Sequence, residues 1–510
     1  MALDQTLERT GRAGGIAASG ALTDAGLLRL LLLFIAAPAA GLFFFLGFPG
    51  DAIVGIVAAL AIGAMVFYLA RSVDLSATAR LDVLSFCLAL SVALCLLGGE
   101  GRFFYANDDW LIRDAIVNDL VLQHWPFVYQ IDGQNFVMRA PLAMYMFPAA
   151  VGKLYGLYAA HLALLAQNAI LFALIFYFIV PPRLKSSQAA LVIFIFVIFG
   201  GLDILPTLGG YLRTGDFGND HIERWAGLFE YSSHITQLFW VPHHAFAGWA
   251  FACLYLLWRR GCVHISVVVC ATLYLAYWSP FAVIGAAPFL LYALISDWRV
   301  EKVGRADLIP VVLGAGPAAL LWIYLIRGGS SVVHSFMFGE PNFWPIYFDF
   351  IYVEFVPYAA VLVALRPALI RDASFWIVVA SLLLVPFYKL GESNDFAMRA
   401  SIPALALLAA TLATALTEEF EAGNRPLWAR LATIILMVGS ITGAMEIRRA
   451  LVRPPSPVGT CNFVQAWSQS SFNWIPMTSY LINIDAMPGW MRPQSPAVVA
   501  AGAPTQCFAQ

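Results

Sequence analysis

The chain has 510 residues, 61% of them hydrophobic and 12% charged, against roughly 45–50% and about 25% in soluble domains. A soluble globule of this length needs more polar surface, which excludes a cytosolic enzyme, a disordered chain and a coiled coil. Lys+Arg 29 against Asp+Glu 31 leaves a net charge of −2, so there is no basic field for nucleic acid. Seven cysteines are too few for a disulfide framework. The class is a polytopic membrane protein.

A bilayer core takes about 20 apolar residues per helix. In chain order, such runs fall near 27–49, 51–70, 82–98, 159–181, 187–208, 234–258, 262–279, 280–296, 307–327, 351–366, 373–389, 396–417 and 427–446. The expectation is an all-α polytopic protein with about thirteen transmembrane helices, its pattern broken at Pro280 and Pro357. The first run is longer than the roughly 7–15 residues of a signal-peptide core, so it should remain as an anchor. This predicts a cytoplasmic leader over 1–26, a transmembrane domain over 27–446 and an external tail over 447–510.

Lys and Arg in short loops set the orientation. With the N terminus inside, the inner loops carry Arg71, Arg80, Arg183, Lys185, Arg259, Arg260, Arg299, Lys302, Arg305, Arg366, Arg371 and Arg425, with Arg430 at a segment edge. Basic residues are several-fold sparser in the outer segments (99–158, 209–233, 328–350, 389–395 and 447–510). Every long polar segment falls outside, and no internal repeat halves the chain. The expected working face is therefore external rather than a midplane site between two repeats. Cys461 and Cys507 share the external tail, where a disulfide and two free thiols are both open readings.

Three external segments carry the polar chemistry. In the first, 105–145 within the large loop 99–158, Asp108 and Asp109 are adjacent. They read as a helix start, with Asn107 or Asp108 capping and Asp109 paired to Arg113 at i,i+4. They read also as a catalytic carboxylate at the membrane surface, its proton affinity raised by its neighbour. Trp125-Pro126 breaks that helix and 132–135 reads as a turn. Residues 139–156 suggest a surface-lying amphipathic helix, which either guides a lipid tail or seals the loop.

The second segment, 211–244, holds His221, His234, His243 and His244, with Asp216, Asp220 and Glu223 as further metal ligands. No HExxH or CxxC spacing accompanies them. His243 and His244 lie about two turns into a predicted span, where polar groups face a cavity or bond inside the bundle. In the third segment, Asn394-Asp395 can cap a helix carrying Arg399 in its first turn. Arg399 would grip a phosphate at headgroup depth, or pair with Asp395. The aromatic loop 334–349 lines a sugar site or forms an interfacial belt.

Asn107-Asp108-Asp109-Trp110, the stretch from Arg139 to Tyr145, and Asn394-Asp395-Phe396 through Arg399 together resemble the GT-C superfamily of integral-membrane glycosyltransferases. That architecture is shared with the protein O-mannosyltransferases and the lipid A aminoarabinose transferase. One departure stands out: the external acidic motif usually follows the first span, and here it follows the third.

The resemblance implies a GT-C-like bundle with surface helices on its external loops, in a bacterial inner membrane. It implies inverting sugar transfer from a polyprenyl-phosphate donor, within a membrane lipid environment, to a glycan, lipid or protein acceptor. Asp108 or Asp109 would activate the acceptor, with Arg399, His243 and His244 at the donor phosphate. Arg139, Tyr145, Asn394 and Asp395 would contact substrate. No cofactor is required by this reading, and a divalent metal remains open. The rival readings are a transporter or flippase for lipid-linked glycans and a membrane O-acyltransferase.

Overall fold

The computed structural model describes residues 22–70, 75, 77–217, 221–299, 304–327, 332–391, 394–423, 426–500 and 506–507. The leader up to residue 21, together with Arg71, Asp220, Lys302 and Arg425, lies outside the described residues.

In lipid every backbone N–H and C=O must be paired within its own segment, so a chain this apolar forms helices. Seven described helices are long and apolar enough to cross a membrane: Asp24–Leu46, Asp51–Leu69, Leu157–Ile179, Pro280–Trp298, Asp307–Ile326, Asp395–Glu421 and Leu427–Val452. The pair Phe343–Glu354 and Val356–Leu365, bent by 42°, makes an eighth if it is one span. Leu81–Leu97, Ser186–Val197, Ile265–Leu275 and Ala373–Phe387 are apolar but shorter. The protein is a mostly helical membrane protein, and fewer helices reach full spanning length than the thirteen expected.

Two predicted spans are broken. The run over 187–208 stops at Val197 because the chain then passes close to another helix: a Cβ on Gly200 would meet the Gly439 carbonyl at 2.9 Å. Tyr358 Oη donates to the Gly200 carbonyl at 2.7 Å and fixes that crossing. Beyond it, Ile204–Thr214 is a separate helix with no buried residue. The run over 234–258 divides at Pro242, which lacks an N–H and starts a new helix, Pro242–Arg259, at its first position.

The two ends of the bundle differ in chemistry. At one end Lys185 pairs with Glu421 at 3.3 Å, Arg366 with Glu418 at 3.0 Å and Arg259 with Asp372 at 2.7 Å. Arg80 and Arg260 there donate to the carbonyls of Leu184 and Ile179, both at 2.6 Å. These are the loops whose basic residues set the predicted inner face.

The opposite end gathers the long polar segments, and it is not wholly helical. Asp132 and Gly133 have φ of +50° and +77°, as a two-residue hairpin turn requires, and join strands Phe127–Ile131 and Gln134–Met138. Strands Leu481–Asn483 and Ala497–Ala500 of the expected tail complete a four-stranded sheet on either side of this hairpin. Strands of residues 481–500 are thus folded onto the loop 99–158, and Cys461 and Cys507 form a disulfide. The stretch 139–156 does form a helix, Ala143–Tyr155. Its inner side, including Met144 and Tyr145, is buried, while Leu154 and Tyr155 are exposed.

Candidate functional site

The acidic motif opens helix Asp109–Leu122. Asn107, not Asp108, makes the turn that starts it: Asn107 Oδ1 accepts from the Asp109 amide at 3.1 Å, and Asp108 makes no capping bond. Asn107 Nδ2 and Trp110 Nε1 both donate to the Phe239 carbonyl, at 2.9 and 3.1 Å. Those two bonds tie the motif to the end of helix His234–Trp240, just before Pro242. Asp108 is exposed, whereas Asp109 is largely covered and takes Arg113 Nη2 at 2.9 Å. The guanidinium carbons of Arg113 and Arg102 lie 5.6 and 5.4 Å from the Trp110 ring centre, and Arg102 pairs with Asp114.

Helix Asp395–Ala400 brings the second basic group to the same place. Arg399 Nη1 holds Asp395 Oδ1 at 2.6 Å, the i,i+4 pair expected. The charge of Arg399 also acts on Asp109 and on the phenol of Tyr480. Tyr480 in turn interacts with Arg399, Asp395, Asp109 and Arg113, and burial pushes its phenol up so that it stays a donor.

His243 and His244 stand in the first turn of Pro242–Arg259 rather than two turns into a span, because the chain restarts at Pro242. Their rings lie 3.9 Å apart, and both interact with Arg113 and Arg399. His244 Nδ1 meets Ser279 Oγ at 2.7 Å. Asp109, Arg113, Arg399, the two histidines and Tyr480 therefore form one electrostatic group. Among the described residues, Arg113 Nε and Nη1 and Arg399 Nε are buried donors without a hydrogen-bond partner, and His243 Nδ1, donor or acceptor by tautomer, is likewise unpaired. Unpaired buried donors of this kind each cost about 1–3 kcal/mol, more when charged.

The remaining predicted residues sit at the margin. Tyr145 is buried and interacts with Arg113, Tyr480, Asp109 and Asp114. Arg139 spends its guanidinium on the carbonyls of Leu325 and Ser479, at 3.2 and 3.0 Å, and its amide on the Tyr480 carbonyl at 2.7 Å. It holds the tail rather than facing the group. Asn394 adopts φ +53° without a capping bond and donates to the Leu228 carbonyl at 2.8 Å. Its Oδ1 is buried and, among the described residues, has no partner.

The four histidines of 211–244 do not share one metal. His234 Nδ1 lies 2.6 Å from the Phe196 carbonyl inside the bundle, and the pair at 243–244 faces Arg113 and Arg399. Of the four, among the described residues, His221 alone meets carboxylates, those of Glu223, Glu230 and Glu446. Asp216, expected among the ligands, is not in that cluster.

Tyr480, Glu230 and Glu446 were not singled out by sequence. Tyr480 carries no motif, and Glu230 no spacing. Glu446 offered one signal, a carboxylate on an apolar run. Set against known proteins, the chain matches no family model, no curated protein and no solved structure.

Proposed function

We propose that this protein is a GT-C-type membrane glycosyltransferase that moves a sugar from a polyprenyl-phosphate donor to an acceptor hydroxyl. The observation that supports this most is the meeting of Asp109 and His243 with Arg113 and Arg399, whose guanidinium N–H groups, unpartnered among the described residues, suit a phosphate. In this reading the acceptor oxygen bonds to the anomeric carbon while the bond to the donor phosphate breaks, with inversion. Asp109 takes the acceptor proton. Arg399, Arg113 and His243 stabilise charge on the departing phosphate, with Tyr480 as a further donor.

The shorter apolar helices and Pro242–Arg259, added to the long ones and the bent pair, give the bundle of about thirteen spans that this reading expects. The working end then faces the periplasm of a bacterial inner membrane, with the N terminus inside. A cysteine placed at exposed Gly339 should label from outside intact cells, and cysteines at Ser187 and Gly304 should not.

The deciding experiment is sugar transfer from a polyprenyl-phosphate donor by purified protein in lipid. Turnover supports the reading. Binding of the lipid without transfer would put the flippase reading ahead, and no binding would reject the donor class.

A further inference from the structure

We infer that His221, Glu223 and Glu230 form a divalent transition-metal site, best suited to Zn²⁺, on the external side and apart from the Asp109 group. One ligand atom from each of the three lies within 4.8 Å of the others. His221 Nε2 is 3.5 Å from Glu230 Oε1 and 3.9 Å from Glu223 Oε2. Ligands around an ion bound at about 2.0–2.2 Å sit roughly 3–3.5 Å apart, so these three need close in only slightly.

Two features separate this cluster from ordinary acidic surface. Glu223 is fully buried; its Oε1 accepts from the Ser233 amide at 2.8 Å, while its Oε2 turns toward the imidazole and, among the described residues, accepts no hydrogen bond. A buried carboxylate oxygen left in this way calls for a cation or a proton.

The imidazole is also held as a metal-binding histidine is held. His221 Nδ1 meets Glu446 Oε1 at 3.2 Å, which leaves Nε2 facing the two glutamates, where a bound metal would take the place of its proton. Glu446 is itself fixed, by Trp240 Nε1 at 2.8 Å and Arg449 Nη1 at 3.1 Å. Trp240 packs on the imidazole ring with centres 4.8 Å apart. One nitrogen with two carboxylates leaves a fourth position for water, and imidazole with carboxylate suits Zn²⁺ over Mg²⁺. Glu230 is partly exposed and gives the ion a way in. Bound metal would tie the 221–230 segment to the final long helix.

The test uses full-length protein purified in lipid without chelators. Metal analysis should find about one zinc per chain, and stripping it should lower the melting temperature, restored by ZnCl₂ but not MgCl₂. Glu223→Gln should abolish the zinc-dependent shift. Glu446→Gln, which only orients the imidazole, should weaken zinc by about 10–100-fold. The site is rejected if wild type carries no zinc and shows no shift in excess ZnCl₂, or if Glu223→Gln binds zinc as wild type does. Variants that fail to fold leave the wild-type measurement to decide. None of these results depends on sugar transfer.

Discussion

Arg113 Nη2 reaches Asp109 Oδ2 at 2.9 Å, one helical turn away, and spends on it a single N–H of a buried guanidinium. The pair serves two ends. It fixes the direction of the carboxylate, and in the proposed reaction its second oxygen is left for the acceptor. It also holds the remaining guanidinium N–H groups beside His243 and Arg399, where an anion can take them.

Asp109→Asn keeps the shape and the turn made by Asn107 but loses proton acceptance. Transfer should fall by about 10²–10⁴, the usual range for a lost general base. Asp108→Asn, at an exposed position with no capping bond, should stay within about twofold of wild type. Initial rates with a polyprenyl-phosphate sugar decide it. Wild-type turnover in Asp109→Asn would remove the carboxylate from the mechanism.

Arg399→Lys keeps the charge and loses the planar fork, so it should be impaired, and Arg399→Ala more so. Arg113→Ala should resemble Arg399→Ala. Each removes a charge-assisted bond worth about 1.5–3 kcal/mol, or roughly 10- to 150-fold in kcat/KM. The comparison is kcat/KM for the donor with acceptor saturating. Losses confined to acceptor KM would move both arginines away from the phosphate.

What the sequence made legible follows from how local each signal is. Asp109, Arg399 and the two histidines stood out because polar groups beside apolar spans are costly and need a reason to be there. The turn at Asp132-Gly133 was visible in four residues. The break after Val197 was not, because Phe199, Leu202, Ile204 and Leu205 continue the apolar run past a bend that Gly439 and Tyr358 impose from far along the chain. Strands Leu481–Asn483 and Ala497–Ala500 were equally hidden: each is short, and its partner lies far off in the loop 99–158. For the same reason nothing pointed to Tyr480, which reaches the site only once that sheet forms.

Because Tyr480 comes from the folded tail, the Cys461–Cys507 bond bears on the site as well as on stability. It closes a sequence separation of 46, and cross-links over such loops stabilise by roughly 3–4 kcal/mol in the chain-entropy account. Cys461→Ser should lose the gel shift between reduced and non-reduced protein and become protease-sensitive within 457–500. Transfer should fall several-fold through misplacement of Tyr480. A protease pattern unchanged from wild type would show that the sheet holds the tail unaided.

Asp119 links that tail to the acidic-motif helix, since its Oδ2 accepts from the Phe463 amide at 2.8 Å and from Tyr129 Oη at 2.7 Å. Burial pushes its carboxyl up to about 7, against the pull of those two bonds. The folded form therefore holds a proton that the unfolded chain releases near pH 4. Its contribution to stability is whole below that point and is lost as pH rises through about 7, a change on the order of a few kcal/mol. Amide exchange over 460–467, corrected for intrinsic rates, should be slower at about pH 5.5 than at about pH 8.5. Asp119→Asn, which stays neutral and keeps an acceptor oxygen, should show the same protection at both values. Equal protection in wild type would mean that Asp119 is ionised in the fold and that its two hydrogen bonds outweigh its burial.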